Sequence, residues 1–211
     1  EGLDLEGVRE WIKQKQPDTV GISVYTPMVK TCYKIAEMVK DISRDIAVVA
    51  GGPHVHFMAE DFIEKSGSFD YVVRGEGEET FNDLIDCIVN KGDFRNVRGI
   101  TYIDKAANKP VSTPQRDFIA DLDSLPMPAY DLLPMDKYSA PQVLNGVKPF
   151  SIIITSRGCP FGCHYCSSSI AWGRRQRRRS PENVILEIET LRKIYGIRAL
   201  RIEDDLFTLQ Q

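Results

Sequence analysis

The sequence predicts an α/β protein in two parts: a partial doubly wound parallel sheet, then, beyond a linker, a single β-loop-α-β unit. Three observations carry this expectation. Short apolar runs alternate with helical periodicities over the first 95 residues. Prolines then break every long pattern between 114 and 149, and a strand, loop, helix and strand resume at 150.

Taken in order, Asp4 is placed to cap a helix whose apolar face is Leu5, Val8 and Ile12. The run TVGISV at 19–24, bounded by Pro17 and Pro27, reads as a strand. Val29, Cys32, Ala36 and Val39 then recur at helical spacing. IAVVA at 46–50 is the kind of run buried on both faces of a parallel sheet, and it leads directly into Gly51-Gly52-Pro53. A short helix near 57–65 precedes a third strand at 71–74. Gly75-Glu76-Gly77-Glu78 follows, then a helix carrying Phe81, Leu84, Ile85 and Ile88. Strands spaced by helices at this interval imply right-handed βαβ units.

GITYID, a polar turn and PVST predict a β-hairpin over 98–113. Pro126, Pro128, Pro134 and Pro141 mark an ordered linker. Its Phe118, Leu122, Leu125, Tyr130, Leu132 and Leu133 are expected to pack. FSIIIT at 150–155 is a β-branched strand. After a cysteine-bearing loop, Ser180-Pro181 opens a helix with Ile185, Ile188, Leu191 and Ile194 as its buried stripe, ended by Gly196. Residues 199–202 form a last strand before Glu203-Asp204-Asp205. The expected domains are 1–95, a hairpin and linker over 96–149, and 150–211.

Composition narrows the class. Hydrophobic residues at 42% and charged residues at 27% suit a globular chain with a real core. A formal charge of −3 gives no global attraction to nucleic acid or anionic membrane. With no apolar run of transmembrane length and no signal peptide, a cytoplasmic location is the expectation. Five arginines between 174 and 179 read as a solvated loop, with phosphate binding as the rival.

Three of the five cysteines, Cys159, Cys163 and Cys166, fall within eight residues, which reads as metal ligation in a reducing compartment. Structural zinc wants four ligands, usually in two CxxC pairs. Cys32 and Cys87 lie on apolar helical faces and read as core thiols. His164, between two ligating cysteines, reads as a loop residue. Three thiolates therefore leave a cubane with one open iron.

Cys159-Pro-Phe-Gly-Cys163-His-Tyr-Cys166 after a strand resembles the radical S-adenosylmethionine (SAM) superfamily. The resemblance implies a 4Fe–4S cluster whose open iron chelates SAM, reductive cleavage to a 5′-deoxyadenosyl radical, and Tyr165 near the adenine. Trp172-Gly173-Arg174-Arg175, the stretch 177–182, Leu125-Pro-Met-Pro-Ala-Tyr130 and Glu203-Asp204-Asp205 are similar to the cobalamin-binding branch of that superfamily. This implies a cobalamin-binding-like Rossmannoid domain followed by the first β-α-β unit of a radical SAM β/α barrel. It implies SAM contacts at Tyr165, Glu203, Asp204 and Asp205. Cobalamin contacts are implied at Ser23, Tyr25, Thr26, Gly51, Gly52, Gly75 and Glu76, at the carboxyl ends of the strands.

The implied activity is SAM cleavage feeding methyl transfer or cyclisation on a small-molecule substrate, with an external electron donor such as a flavodoxin or ferredoxin. The sequence departs from many cobalamin folds in having no early DxHxxG loop, and His54 and His56 fit a helix entrance better than a cobalt ligand. About a strand, a helix and a further strand are missing before residue 1, and most of the barrel beyond 211. The stretch is expected to be a fragment that is inactive alone. The alternatives are a tRNA-modifying methylthiotransferase, which needs more cysteines in the first domain, and a non-catalytic cofactor-binding or electron-transfer module.

Overall fold

The computed structural model describes residues 4–142 and 146–209. Glu1 and Gln211, the outer bounds of the expected domains, lie outside them. The chain divides into two compact units that meet in sequence at Phe118 and Ile119.

The first unit opens with α1 (Leu5–Lys15), where Asp4 accepts a hydrogen bond from the Gly7 amide at 2.8 Å and buries Ile12 inward. Then follow β1 (Thr19–Ser23), α2 (Val29–Ile42), β2 (Ala47–Gly51), α3 (Pro53–Ser66), β3 (Tyr71–Val73) and α4 (Gly77–Val89). The hairpin is β4 (Ile100–Asp104) and β5 (Lys109–Ser112). Its tip is held by the Asp104 carboxylate, which accepts from the Ala106 and Ala107 amides.

All five strands form one sheet in the order β1-β2-β3-β4-β5, with β1 to β3 parallel and β4 and β5 antiparallel. Two expectations change here. The hairpin extends the first sheet instead of belonging to the linker, because β4 pairs with β3 through Val73 and Ile100. The doubly wound reversal of strand order is not found among the described strands, where the parallel strands succeed one another in sequence order.

Alternation of side chains along each strand sorts the core into two faces. Val48, Ala50 and Val72 pack with Cys32, Ala36, Val39, Phe62 and Ile63 from α2 and α3. Val49, Val73 and Ile100 pack with Leu84 from α4. Phe62 is fully buried, its ring 4.9 Å from those of Tyr33 and Phe69. Truncating such a ring costs about 3–5 kcal/mol. Helix α3 begins at Pro53, earlier than the periodicity suggests, and is interrupted by non-helical backbone at Met58. That irregularity hides its first turn from a pattern of period 3.6.

The second unit contains a parallel pair, β6 (Phe150–Ile153) and β9 (Ala199–Ile202), and an antiparallel pair, β7 (Ser156–Arg157) and β8 (Arg177–Arg178). Between them in sequence lie α5 (Ser168–Ala171) and α6 (Pro181–Ile194). Ser180 caps α6 through the Asn183 amide at 3.2 Å, and Gly196 adopts φ 63° just past its end.

The buried stripe of α6 is the expected one only in part, at Ile188 and Leu191. Leu191 is buried and Val184 and Ile188 pack with it, whereas Ile185 and Ile194 are exposed. What turns the helix is Glu187, 1% exposed, which accepts the Tyr130 hydroxyl and pairs with Arg179. Two of the five clustered arginines are therefore structural. Arg179 serves Glu187, and buried Arg177 donates to the carbonyls of Ile119 (2.7 Å) and Trp172 (3.0 Å). In the linker, Leu122 and Tyr130 pack as expected, while Phe118, Leu132 and Leu133 are exposed.

Candidate functional site

Ser23, Gly51 and Gly52 meet where β1 and β2 end. The Val24 amide donates to Gly51 O at 2.7 Å, and the His54 amide donates back to Val24 O at 3.0 Å. Gly52 sits at φ 97°, ψ 178°, a region open essentially to glycine alone. A Cβ there would lie 2.9 Å from both Ser23 Oγ and the Val24 nitrogen. Thr26 joins this corner through a 3.1 Å hydrogen bond between its hydroxyl and His54 Nδ1.

The loop after β3 is tied to the same corner by His56, whose Nδ1 accepts from the Gly75 amide at 3.1 Å. That bond requires an unprotonated Nδ1, and burial together with Arg74 pushes the imidazole below its ordinary range. Glu76 is buried at the start of α4. Both histidines lie in the first turns of α3, as a helix entrance requires. No local pattern announces that His56 links two glycine loops, because its partner is a backbone amide 19 residues away. Around these loops Tyr25, Met28, Phe57 and Met58 expose large apolar surfaces. Tyr25 and Met28 follow the end of β1 and Phe57 and Met58 lie in α3, and the glycines between these segments let a ligand approach backbone closely.

The cysteine loop of the second unit runs from β7 to α5. At its start Arg157 lies over the Trp172 ring, 5.6 Å from the centroid. Gly158 takes φ 94° where a Cβ would press 2.4 Å from Arg175 O. The Cys159 amide donates to Gly173 O and the Cys166 amide to Cys163 O, each at 3.1 Å. Cys163 is exposed and the other two are half-buried. Hydrogen bonds from Ser168 draw the Cys166 thiol below its usual range, toward the thiolate a metal requires.

Among the described residues no three His, Cys, Asp or Glu side chains are gathered closely enough to hold one metal ion. The thiols thus share one loop without converging. Tyr165 is 93% exposed beside them. Cys32 is a buried core thiol as expected, whereas Cys87 is only half-buried against the core, and burial raises both thiols.

The acidic residues after β9 have separate fates. Glu203 pairs with Arg201. Asp204 accepts four hydrogen bonds, from the amides and hydroxyls of Thr155 and Ser156. Asp205 accepts the Ser168 hydroxyl at 2.8 Å.

A family model described as the B12 binding domain matches residues 3–85. The chain is 42% identical, over its whole length, to an uncharacterized methyltransferase of Pyrococcus horikoshii, covering 44% of that protein. It is 34% identical over 99% of its length to the anaerobic magnesium-protoporphyrin IX monomethyl ester cyclase of Rubrivivax gelatinosus, covering 37% of it. The chain is similar to cobalamin-dependent radical SAM methyltransferases, one of which, TokK of Streptomyces tokunonensis, is 30% identical over 82% of this chain and covered to 25%. Among solved structures, the radical SAM methyltransferase TsrM of Kitasatospora setae, with cobalamin and a [4Fe-4S] cluster bound, matches with a TM-score of 0.72 at 21% identity. That match covers 97% of this chain and 40% of TsrM, and it shows a shared fold. The chain spans less than half the length of the Pyrococcus and Rubrivivax relatives. Among the described residues no helix is long and apolar enough to cross a membrane.

Proposed function

We propose that this chain is the cofactor-binding part of a cobalamin-dependent radical SAM enzyme that methylates or cyclises a small molecule. The observation that carries the reading is the pairing, in one chain, of a B12-domain match over 3–85 with three cysteines spaced CxxxCxxC on a loop between β7 and β8. The names of the Pyrococcus and Rubrivivax relatives, a methyltransferase and a cyclase, support the two reaction classes.

The residues fit the groups this reading requires. Three thiol donors on one loop, one of them drawn toward thiolate, suit an iron–sulfur cluster better than a four-ligand zinc site. The glycines Gly51, Gly52 and Gly75 and the exposed ring of Tyr25 suit cobalamin. When bound, the cluster and cobalamin supply low-potential one-electron chemistry and a methyl carrier.

The chain's own residues divide the remaining work. Cys159, Cys163 and Cys166 would hold the cluster, and Tyr165 would offer its exposed ring to an adenine. Ser23, Thr26 and Glu76 offer polar contacts beside the glycines, and the exposed apolar side chains around these loops exclude water. The electron comes from outside, from a flavodoxin- or ferredoxin-like donor. A methylthiotransferase reading has less support, because its additional cysteines would have to be Cys32, which is buried, and Cys87, which is half-buried against the core on another helix.

Anaerobic reconstitution tests the proposal. About four irons per chain, lost in Cys163→Ala, together with hydroxocobalamin absorbance retained through desalting, is the expected result. A single zinc and no iron would remove the radical SAM reading, and loss of all cobalamin colour would remove the cobalamin part.

A further inference from the structure

The two aspartates after β9 hold the two ends of the cysteine loop. Asp204 reaches its entrance. Its Oδ1 accepts the amides of Thr155 (2.7 Å) and Ser156 (3.1 Å), and its Oδ2 accepts their hydroxyls at 2.5 and 2.7 Å. A carboxylate offers about four lone-pair sites, so Asp204 has none left for a ligand. Gln176 reinforces the same point, donating to Ser156 Oγ at 3.2 Å and to Leu206 O at 2.6 Å. Asp205 reaches the exit, where it accepts the Ser168 hydroxyl at 2.8 Å. Ser168 opens α5 two residues past Cys166, so this bond fixes the stem just beyond the last cysteine.

We propose that Asp204 and Asp205 form a two-point clamp on the cysteine loop, acting as positioning residues for the cluster and not as SAM ligands. The inference rests on the cluster reading above. Its physical basis is that Phe161, Gly162 and Cys163 at the middle of the loop are exposed, so the stems set how closely the three thiols approach. Adjacent residues on the end of one strand fix both stems to the same support. At position 204 the clamp requires hydrogen-bond geometry and not charge. An asparagine there keeps an oxygen for the two amides and an NH₂ for the two hydroxyls, which turn to accept.

The test uses the chain reconstituted anaerobically with iron and sulfide, as wild type, Asp204→Asn, Asp204→Ala, Asp205→Ala and Ser168→Ala. Iron content, the rate of iron loss to a chelator, and the EPR spectrum of the reduced cluster are read on each, with far-UV circular dichroism checking the fold. Asp204→Ala, Asp205→Ala and Ser168→Ala are expected to lose iron about 10-fold faster or more, the usual scale for removing a group that orients a metal ligand. Asp204→Asn is expected to restore wild-type retention. Ser168→Ala leaves β9 and both aspartates in place, so it reads the exit clamp even where Asp204→Ala fails to fold.

Wild-type retention and an unchanged spectrum in Asp205→Ala and Ser168→Ala would overturn the clamp alone. So would an Asp204→Asn chain that keeps its cluster but loses the change SAM induces in the spectrum, since that marks a ligand whose charge matters. A wild-type chain that takes up no iron overturns the cluster reading, and the clamp with it.

Discussion

Replacing Tyr130 by phenylalanine removes one oxygen from the most buried charge in the second unit. Glu187 is 1% exposed and Tyr130 7%. The tyrosine hydroxyl donates to one carboxylate oxygen while Arg179 pairs with the other. Phenylalanine keeps the ring against Tyr195, whose centroid is 5.8 Å away, so packing is conserved and the change isolates the hydrogen bond. Hydrogen bonds to charged groups contribute about 1.5–3 kcal/mol. Because water has little access to Glu187, the loss belongs in the upper part of that range, about 2–3 kcal/mol.

For a unit of this size each kcal/mol moves the midpoint by about 4–8 °C, so Tyr130→Phe lowers the Tm by about 8–24 °C. Thermal unfolding followed by circular dichroism, with urea titration to confirm an unchanged m-value, measures it. A shift below about 2 °C would refute the reasoning and show that water or another donor satisfies Glu187. The same network holds the tyrosine neutral, since burial and then Glu187 push its phenol above the ordinary range. Titration at 295 nm is therefore expected to find Tyr130 silent in the folded wild type at a pH where it ionises once the same chain is unfolded.

Other consequences follow from the first unit. His56 is held below the ordinary imidazole range, so its contribution to stability is complete above about pH 6.5 and is lost as the pH falls from there through its lower folded value. The urea midpoint should fall between about pH 7 and pH 5 in wild type, and more shallowly in His56→Gln, whose amide oxygen still accepts from Gly75. Equal slopes would remove His56 from the account. Gly52→Ala places a Cβ 2.9 Å from Ser23 Oγ and the Val24 nitrogen in a glycine-only conformation. It should cost about 1–3 kcal/mol from backbone strain and abolish hydroxocobalamin retention, read by chemical denaturation and by absorbance after desalting.

Local patterns carried most of the fold. The three parallel strands, their helices, the hairpin and the cap at Asp4 were legible because each depends on residues within a few positions of one another. What the sequence concealed depends on distance. The hairpin's place at the edge of β3 rests on a pairing of Val73 with Ile100 that no local pattern announces. The rotation of α6 depends on Tyr130, 57 residues before Glu187, and a buried glutamate is a residue that periodicity counts as polar and assigns outward. The arginine run looked solvated for the same reason, although Arg177 and Arg179 have internal partners.

At the candidate site the cysteines were legible from spacing alone. The family resemblance pointed to the acidic residues after β9, but their partners were not legible. A run of three carboxylates carries no sign that one faces Thr155 and Ser156 and the next Ser168.

The central claim is that Cys159, Cys163 and Cys166 hold a cluster with one iron open to SAM. The direct measurement is the EPR spectrum of the anaerobically reconstituted, reduced chain, recorded with and without SAM. The account predicts a reduced-cluster signal, absent in Cys163→Ala, whose g-values shift when SAM is added. A signal indifferent to SAM would contradict the open iron, and no cluster signal in a chain that binds zinc instead would contradict the claim entirely.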